Sequence, residues 1–414
     1  MRSPRRLFPL APACLVTLAL AACSDGPAAG QDAVDTTAPS DTLDAADTTP
    51  ADTSDASDTT PSDTTDDTAL DTSDTADASA DVAPDVADTT GPSDAFSFEP
   101  IQVDGLPPLW GAVTAGRLFI GGVDGTQKVR AEIHGGTFAG TMLTATEVAS
   151  QDVPRYCQCA LHDPTRNELL VVGGRGSNFG DVTSVVLIDL DTGNATPIDT
   201  AGVADFPVGC AAFFSGPHDR GYVFGGLSST QRAFTASTWR WDPTDRTFTE
   251  LAAAGPSARY DAAVHVLDNG DVLLLGGMGL ADGAPTYPTD VWRFNGERET
   301  WREVAITGER PPGRRYAWTS LAPDESILLF GYGSDAPNGS HMLADLWQLD
   351  LATKTWSAVE VVGALPKARG FVPNWQLDGT LDAGLMAFGA DFSGHVYLDA
   401  FVLRVPDRLK GRWH

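Results

Sequence analysis

Short apolar runs recur along the chain beyond its first hundred residues, and each ends in a glycine pair or its remnant. They read LFIGG, LLVVGG, YVFGG, LLLGG, LLFGY and LMAFGA, with first glycines at Gly121, Gly173, Gly225, Gly276, Gly331 and Gly389. The intervals are 52, 52, 51, 55 and 58 residues. That period holds one four-stranded sheet but is too short for a self-sufficient domain, so it predicts units that bury their faces against one another. The fourth copy displays the parts. Arg259 to Leu267 reads as a first strand, Asn269-Gly270 as a tight turn and Val272 to Leu275 as a buried second strand. After a loop, Asp290 to Phe294 reads as a third strand, Asn295-Gly296 as its turn and Trp301 to Ile306 as an outer strand. Trp292 and Phe294 share a face by the two-residue strand period, as do Trp347 with Leu349 and Trp239 with Trp241. The expected fold is all-β, a six-bladed propeller.

A glycine pair, an aromatic-bearing third strand, and a further aromatic at Phe248, Trp301 or Trp356 after a turn together resemble the kelch repeat. The resemblance covers Phe98 to Pro406 and weakens at its ends. The first copy lacks the tryptophans, Tyr332 and Ala390 stand where a second glycine is expected, and the sixth copy has no fourth strand. Aligning Gly105 with Gly308 places Phe98 on Trp301, Ile101 on Val304 and Val103 on Ile306. Phe98 to Val103 is therefore expected to close the ring by pairing beside Asp399 to Val405, which removes two open sheet edges. The domain spans 96–406, and 407–414 reads as a C-terminal tail.

The region before the repeats has a different logic. Arg2, Arg5 and Arg6 precede an apolar stretch from Leu7 to Ala22, the layout of a secretory signal peptide over 1–22. Leu20-Ala21-Ala22-Cys23 resembles the bacterial lipoprotein processing box, which implies a lipid on Cys23. The expected location is the bacterial cell envelope, with Ser24 favouring the outer membrane, facing the periplasm or the outside. From Ser24 to Ala95 there are nineteen aspartates, no lysine or arginine and no aromatic residue. Such a segment cannot build a core, so 23–95 reads as a disordered stalk. A neutral coil of its length would reach roughly 45 to 50 Å, and like charges extend it further.

The formal charge of −29 divides into +3 for the leader, −19 for the stalk and −13 for the rest. A nucleic-acid binder would show a basic face instead. The reading expects a monomer without metal or cofactor. Cys157, Cys159 and Cys210 remain in the repeats. Cys210 aligns with Gln158, giving it opposite strand parity to the other two, and this predicts either an inter-blade disulfide or a cluster of buried thiols.

In an up-down blade the start of the first strand and the loop after the second strand share one face. Arg155-Tyr156, Arg259-Tyr260, Arg315-Tyr316 and Arg369 stand at those entrances, and long loops from Met278 to Thr289 and from Gly333 to Ala344 rim the same face. A partial ring of guanidinium groups backed by aromatic rings is suited to a carboxylate, phosphate or acidic sugar. The same arginines also fit a structural role, since in the kelch pattern they bond backbone carbonyls or a neighbouring acid. Kelch-type propellers include the central domain of galactose oxidase, whose copper has two tyrosine and two histidine ligands. His341, His395, Tyr287 and Tyr397 lie in loops here, but no spacing selects them. The leading functional expectation is a lipid-anchored scaffold that recognises a protein or a carbohydrate. The alternatives are a sugar-modifying enzyme, epimerase-like or copper-oxidase-like, and a structural envelope component.

Overall fold

The computed structural model describes residues 94–413, apart from 105–108, 111–112, 115–117, 125–127, 140–141, 179, 201–202, 204–205, 229, 253, 338, 373–383 and 392–394. The leader, Cys23 and nearly all of the aspartate-rich segment lie outside the described residues.

The chain folds as an all-β propeller. The second to fifth repeats each form an antiparallel four-stranded sheet. In the fourth, Ala263–Val266, Val272–Leu275, Val291–Asn295 and Thr300–Glu303 pair in sequence order. The second strand is buried on both sides, as its unbroken apolar run requires. Neighbouring blades pack through layered cores. Trp301, for example, sets its ring against Phe213 and Phe224 of the third repeat and donates from Nε1 to Thr238 Oγ1 at 2.9 Å.

Among the described residues the six repeats occupy four such sheets and one larger sheet rather than six. The reason is the N-terminal strand, Phe96–Asp104. Its residues Ser97 to Ile101 pair antiparallel with Arg404 to Ala400 of the last repeat. Its residues Gln102 to Asp104 continue in parallel pairing with Met142 to Thr144 of the first repeat. One strand of nine residues is long enough to serve both edges, so the first and last repeats merge into a single eight-stranded sheet. Phe98 occupies the place of Trp301, and each of the two is 7% exposed. Its ring meets Trp318, Tyr332 and Phe401 edge-on. The segment read as a tail is partly helical instead: Asp407–Trp413 is an α-helix, and Leu409 packs on the adjoining core.

The glycine pairs fall in a different register from the one expected at two repeats. The first position of the pair has φ between +55 and +68 at Gly173, Gly225, Gly276, Tyr332 and Phe388. The second has φ between +91 and +106 at Gly174, Gly226, Gly277, Gly333 and Gly389. Tyr332 and Phe388 thus replace the first glycine, and Ala390 lies beyond the pair. The left-handed helical well of the first position admits an L-residue at modest cost, whereas the second position lies outside it. Crowding does not separate the two places: a Cβ on Gly225 would lie 2.5 Å from the Arg259 carbonyl oxygen, and one on Gly333 2.4 Å from that of Arg315.

Candidate functional site

The strand starts and the loops after the second strands do share one face. Isolated bridges join Tyr156 to Arg175, Val208 to Leu227, Tyr260 to Met278, Arg315 to Ser334 and Gly370 to Ala390. The tight turns at Gly270 and Gly296 sit together on the opposite face, where a Cβ on Gly296 would lie 2.7 Å from the Gly270 carbonyl oxygen.

Arg155, Arg259 and Arg369 do not present a guanidinium ring to a ligand. Their side chains are 0% exposed, and the fourth member of their series is Arg314 rather than Arg315. In each, Nη1 donates to the carbonyl at the first position of the glycine pair: Gly173 at 3.1 Å, Gly276 at 3.4 Å, Tyr332 at 3.2 Å and Phe388 at 3.1 Å. In each, a carboxylate takes the charge: Asp290 at 2.6 Å from Arg259, Asp345 and Asp399 at 2.5 Å from Arg314 and Arg369, and Asp152 beside Arg155. Burying a guanidinium without its acid would be costly, and the repeats respect this. The third repeat has Pro207 in place of the arginine and Ser237 in place of the acid. The second has Ser184 at the acid position, and its Arg155 draws Asp152 from the chain just before it while also donating to the Ser184 carbonyl and hydroxyl.

The next two positions face the channel. Tyr156, Val208, Tyr260, Arg315 and Gly370 come first, followed by Cys157, Gly209, Asp261, Tyr316 and Phe371. The second set all have φ between +52 and +63. A left-handed conformation at four non-glycine residues is strain that surrounding structure must hold. Belt hydrogen bonds between blades help: Gly209 N–H donates to the Cys157 carbonyl at 2.9 Å, and Asp261 N–H to the Gly209 carbonyl at 2.8 Å.

Side chains from several blades meet in one cluster here. Tyr156, Tyr260, Met278, Phe371 and Ala390 are its buried members, with Cys157, Phe234, Tyr287 and Tyr316 among the half-buried side chains against them. Arg315 lies within it, also unexposed. It donates to the Tyr260 hydroxyl and to the Pro337 carbonyl of the rim loop, with its guanidinium 4.8 Å from the Tyr316 ring centre and 5.6 Å from that of Tyr260. Tyr316 also stacks with Phe371, and Tyr260 with Phe234. Asp261 is half-buried within this belt. Burial pushes its carboxyl up to about 7, against the opposing pull of Arg315 and a hydrogen bond from Tyr316. Burial likewise raises Tyr156 and Tyr287 to about 12 and Tyr260 and Tyr316 well above the usual phenol range. These phenols are therefore neutral hydrogen-bond donors at physiological pH.

The loop residues considered for copper do not converge. His341 Nδ1 lies 2.7 Å from Asp335, while His395 stands edge-on to Tyr397, whose hydroxyl donates to Asp391 at 3.0 Å. No group of three histidine, cysteine or acidic side chains among the described residues is arranged to hold a metal ion. A disulfide joins Cys159 of the second repeat to Cys210 of the third, with Cα atoms 5.6 Å apart. Opposite strand parity brings them together. Cys157 stands in the left-handed belt around the channel.

Two residues escaped the sequence reading, Asp261 at the channel and Arg314 in the buried series. Asp261 has no counterpart of its own type in the other repeats. Arg314 was hidden by its neighbour, although the acid spacing marks it: 31 residues from Arg259 to Asp290, 31 from Arg314 to Asp345 and 30 from Arg369 to Asp399.

Comparisons with known proteins agree with this architecture. The family described as the KLHDC2/KLHL20/DRC7 Kelch-repeats domain matches residues 141–376. Among curated proteins the chain is 27% identical over 134 residues to the dynein alpha chain of the flagellar outer arm of Chlamydomonas reinhardtii. That match spans 32% of this chain and 3% of the dynein chain. Among solved structures YjhT matches at a TM-score of 0.56 and 16% identity, covering 72% of this chain and 96% of that one. At that identity the likeness concerns the fold alone.

Proposed function

Because this chain belongs to the KLHDC2/KLHL20/DRC7 Kelch-repeats domain family, we propose that it is a binding scaffold whose partner docks on the face bearing the strand starts and rim loops. The fold itself supports an interaction role. The choice of face rests on one observation, the different use of polar groups at the two ends of the blades. On the far face they latch neighbouring blades: Arg166 forks onto Asp219 at 2.5 and 2.8 Å, and Glu299 accepts from Tyr222 and Arg240 at 3.1 Å each. At the channel end polar groups also bridge blades, as Arg315 does to Tyr260, but there Asp261, Tyr287 and Tyr316 stay only half-buried. The rim also carries hairpins that add contact surface, such as Gly279–Ala281 paired with Ala284–Thr286.

In the same proposal the domain is displayed in a bacterial envelope by a lipid on Cys23, with the acidic stalk setting its reach. Mass spectrometry of the mature chain tests that part: a lipid-bearing N-terminal cysteine is expected, and an unmodified one refutes it. A photo-reactive residue at Asp282 on the rim, compared with one at Arg298 on the far face, tests the docking face in intact cells. Cross-linked partners are expected from Asp282, and partners obtained only from Arg298 would end the reading. The sugar-modifying alternative has one observation in its favour, a channel carboxyl that titrates near neutrality as proton-transfer groups do. It requires turnover of a sugar that disappears in Asp261→Asn.

A further inference from the structure

Charge at the channel mouth runs opposite to the expectation from sequence. The arginines at the strand starts are buried, while the groups that solvent reaches include Asp261, Tyr287, Tyr316 and Phe234. Among the described residues, Asp261 Oδ2 and the hydroxyls of Tyr156 and Tyr287 are buried without a hydrogen-bond partner, and Tyr156 is only 1% exposed. A buried acceptor left open beside aromatic faces is suited to a cation that can donate hydrogen bonds.

We propose that the quadrant formed by Asp261, Tyr260, Tyr316, Tyr287 and Phe234 binds a protonated primary amine, the ammonium of a lysine side chain on a basic partner protein. The proposal rests on the docking face argued above and adds the chemistry of what enters the channel. Three further observations support it. The rings already hold a cation in this molecule, since the Arg315 guanidinium lies 4.8 Å from the Tyr316 centre and 5.6 Å from the Tyr260 centre. The chain carries a formal charge of −29, and a strongly acidic protein draws in and retains basic partners. Finally, the rim supplies a second carboxylate, Asp335, with 31% side-chain exposure and close enough to Tyr287 to act on it. It offsets the repulsion that Arg315 would exert on an incoming ammonium.

Binding should depend on pH, because the amine takes the ionised form of Asp261. The ionisable groups facing that carboxyl are Arg315 and Tyr316 from the fifth repeat and Tyr260 beside it, while the third repeat presents the Gly209 backbone. Arg315 and the phenols keep their charge states between pH 6 and 8, so of the groups facing this carboxyl only Asp261 itself titrates in that interval. An ammonium that displaces its proton binds about tenfold more tightly at pH 8 than at pH 6.

Saturation-transfer NMR on the full mature chain tests this, with n-butylammonium as the probe and 1-butanol as its neutral counterpart. Butylammonium is expected to bind with that pH dependence and to weaken as salt rises, and butanol to give no transfer. Asp261→Asn should remove binding at both pH values; asparagine tolerates the left-handed backbone, so the fold survives, as a melting curve would verify. The inference is overturned by absence of transfer in the wild type, by equal transfer to butanol, or by unchanged binding in Asp261→Asn. If partners still cross-link from Asp282 in any of those cases, only the amine chemistry falls. If they cross-link only from Arg298, the docking face falls too.

Discussion

Arg259→Met measures how much of the fold rests on the buried arginine series. The guanidinium is 0% exposed and donates to Asp290 at 2.6 and 2.9 Å, to the Ser257 carbonyl at 3.0 Å and to the Ser257 hydroxyl at 2.8 Å. Methionine fills part of its volume but leaves Asp290 with Trp292 Nε1 as its remaining donor, at 2.7 Å. Breaking one side of a buried pair costs about 3–5 kcal/mol. The Asp290 side chain is 24% exposed, so water recovers part of its solvation and the lower end, about 3 kcal/mol, is expected. Replacing both partners should cost much less than the sum. Arg259→Met with Asp290→Leu removes the stranded charge together with its partner, and the third repeat already works with Pro207 and Ser237 at these places. A four-cornered cycle by urea unfolding, followed by tryptophan fluorescence, should give a coupling of at least about 1.5 kcal/mol. A neutral Arg259→Met, or a double variant as unstable as the sum of the singles, would refute the idea that the pair supports the blade.

Three other outcomes are expected. Gly226→Ala, at φ +97 with a carbonyl oxygen 2.8 Å from the new Cβ, should destabilise by more than about 2 kcal/mol, whereas Gly283→Ala, at φ +78 in open space, should cost only about 1 kcal/mol; paired melting curves decide. The raised Asp261 carboxyl favours the fold below the ordinary aspartate value, and this contribution is lost as pH rises through about 7. Asp261→Asn should therefore raise the melting temperature at pH 8 more than at pH 5, and a uniform effect across that range would contradict the assignment. Opening the Cys159–Cys210 bridge, with its sequence separation of 51, should lower stability by up to about 4 kcal/mol on loop entropy, read as a reductant-dependent melting shift that Cys210→Ala abolishes.

The sequence conveys what repeats convey. Six copies of a signal reveal the blade, and Phe98 could be assigned to an outer strand because Trp301 and Trp356 supply the template; all three are 7% exposed. Comparison among copies is weakest where one substitution mimics a shift of register. An apolar run followed by glycine looks alike one residue earlier or later, and only the backbone angles show that Tyr332 and Phe388 take the first glycine's place. The adjacent Arg314 and Arg315 pose the same problem, which their acid spacing resolves. The channel was hidden for a different reason. Its left-handed belt holds cysteine, glycine, aspartate, tyrosine and phenylalanine in successive repeats, so no residue type recurs, and their proximity arises only when the ring closes.

The merged sheet also has a mechanical meaning. The strand Phe96–Asp104 is the first element of the domain, so tension on the preceding chain arrives there before anywhere else. Its opening residues are held on several sides: Phe96 and Ser97 pair with Val361 and Val362, Ser97 also pairs with Arg404, and Arg408 bonds the Asp94 carbonyl. A pull along this strand loads its ladder bonds together, as in shear, and the resistance passes into the fifth, sixth and first repeats at once. A pull across it would peel the bonds one by one. The same residues that keep the ring shut therefore set the force at which the domain yields, and a tether attached ahead of them acts directly on the keystone.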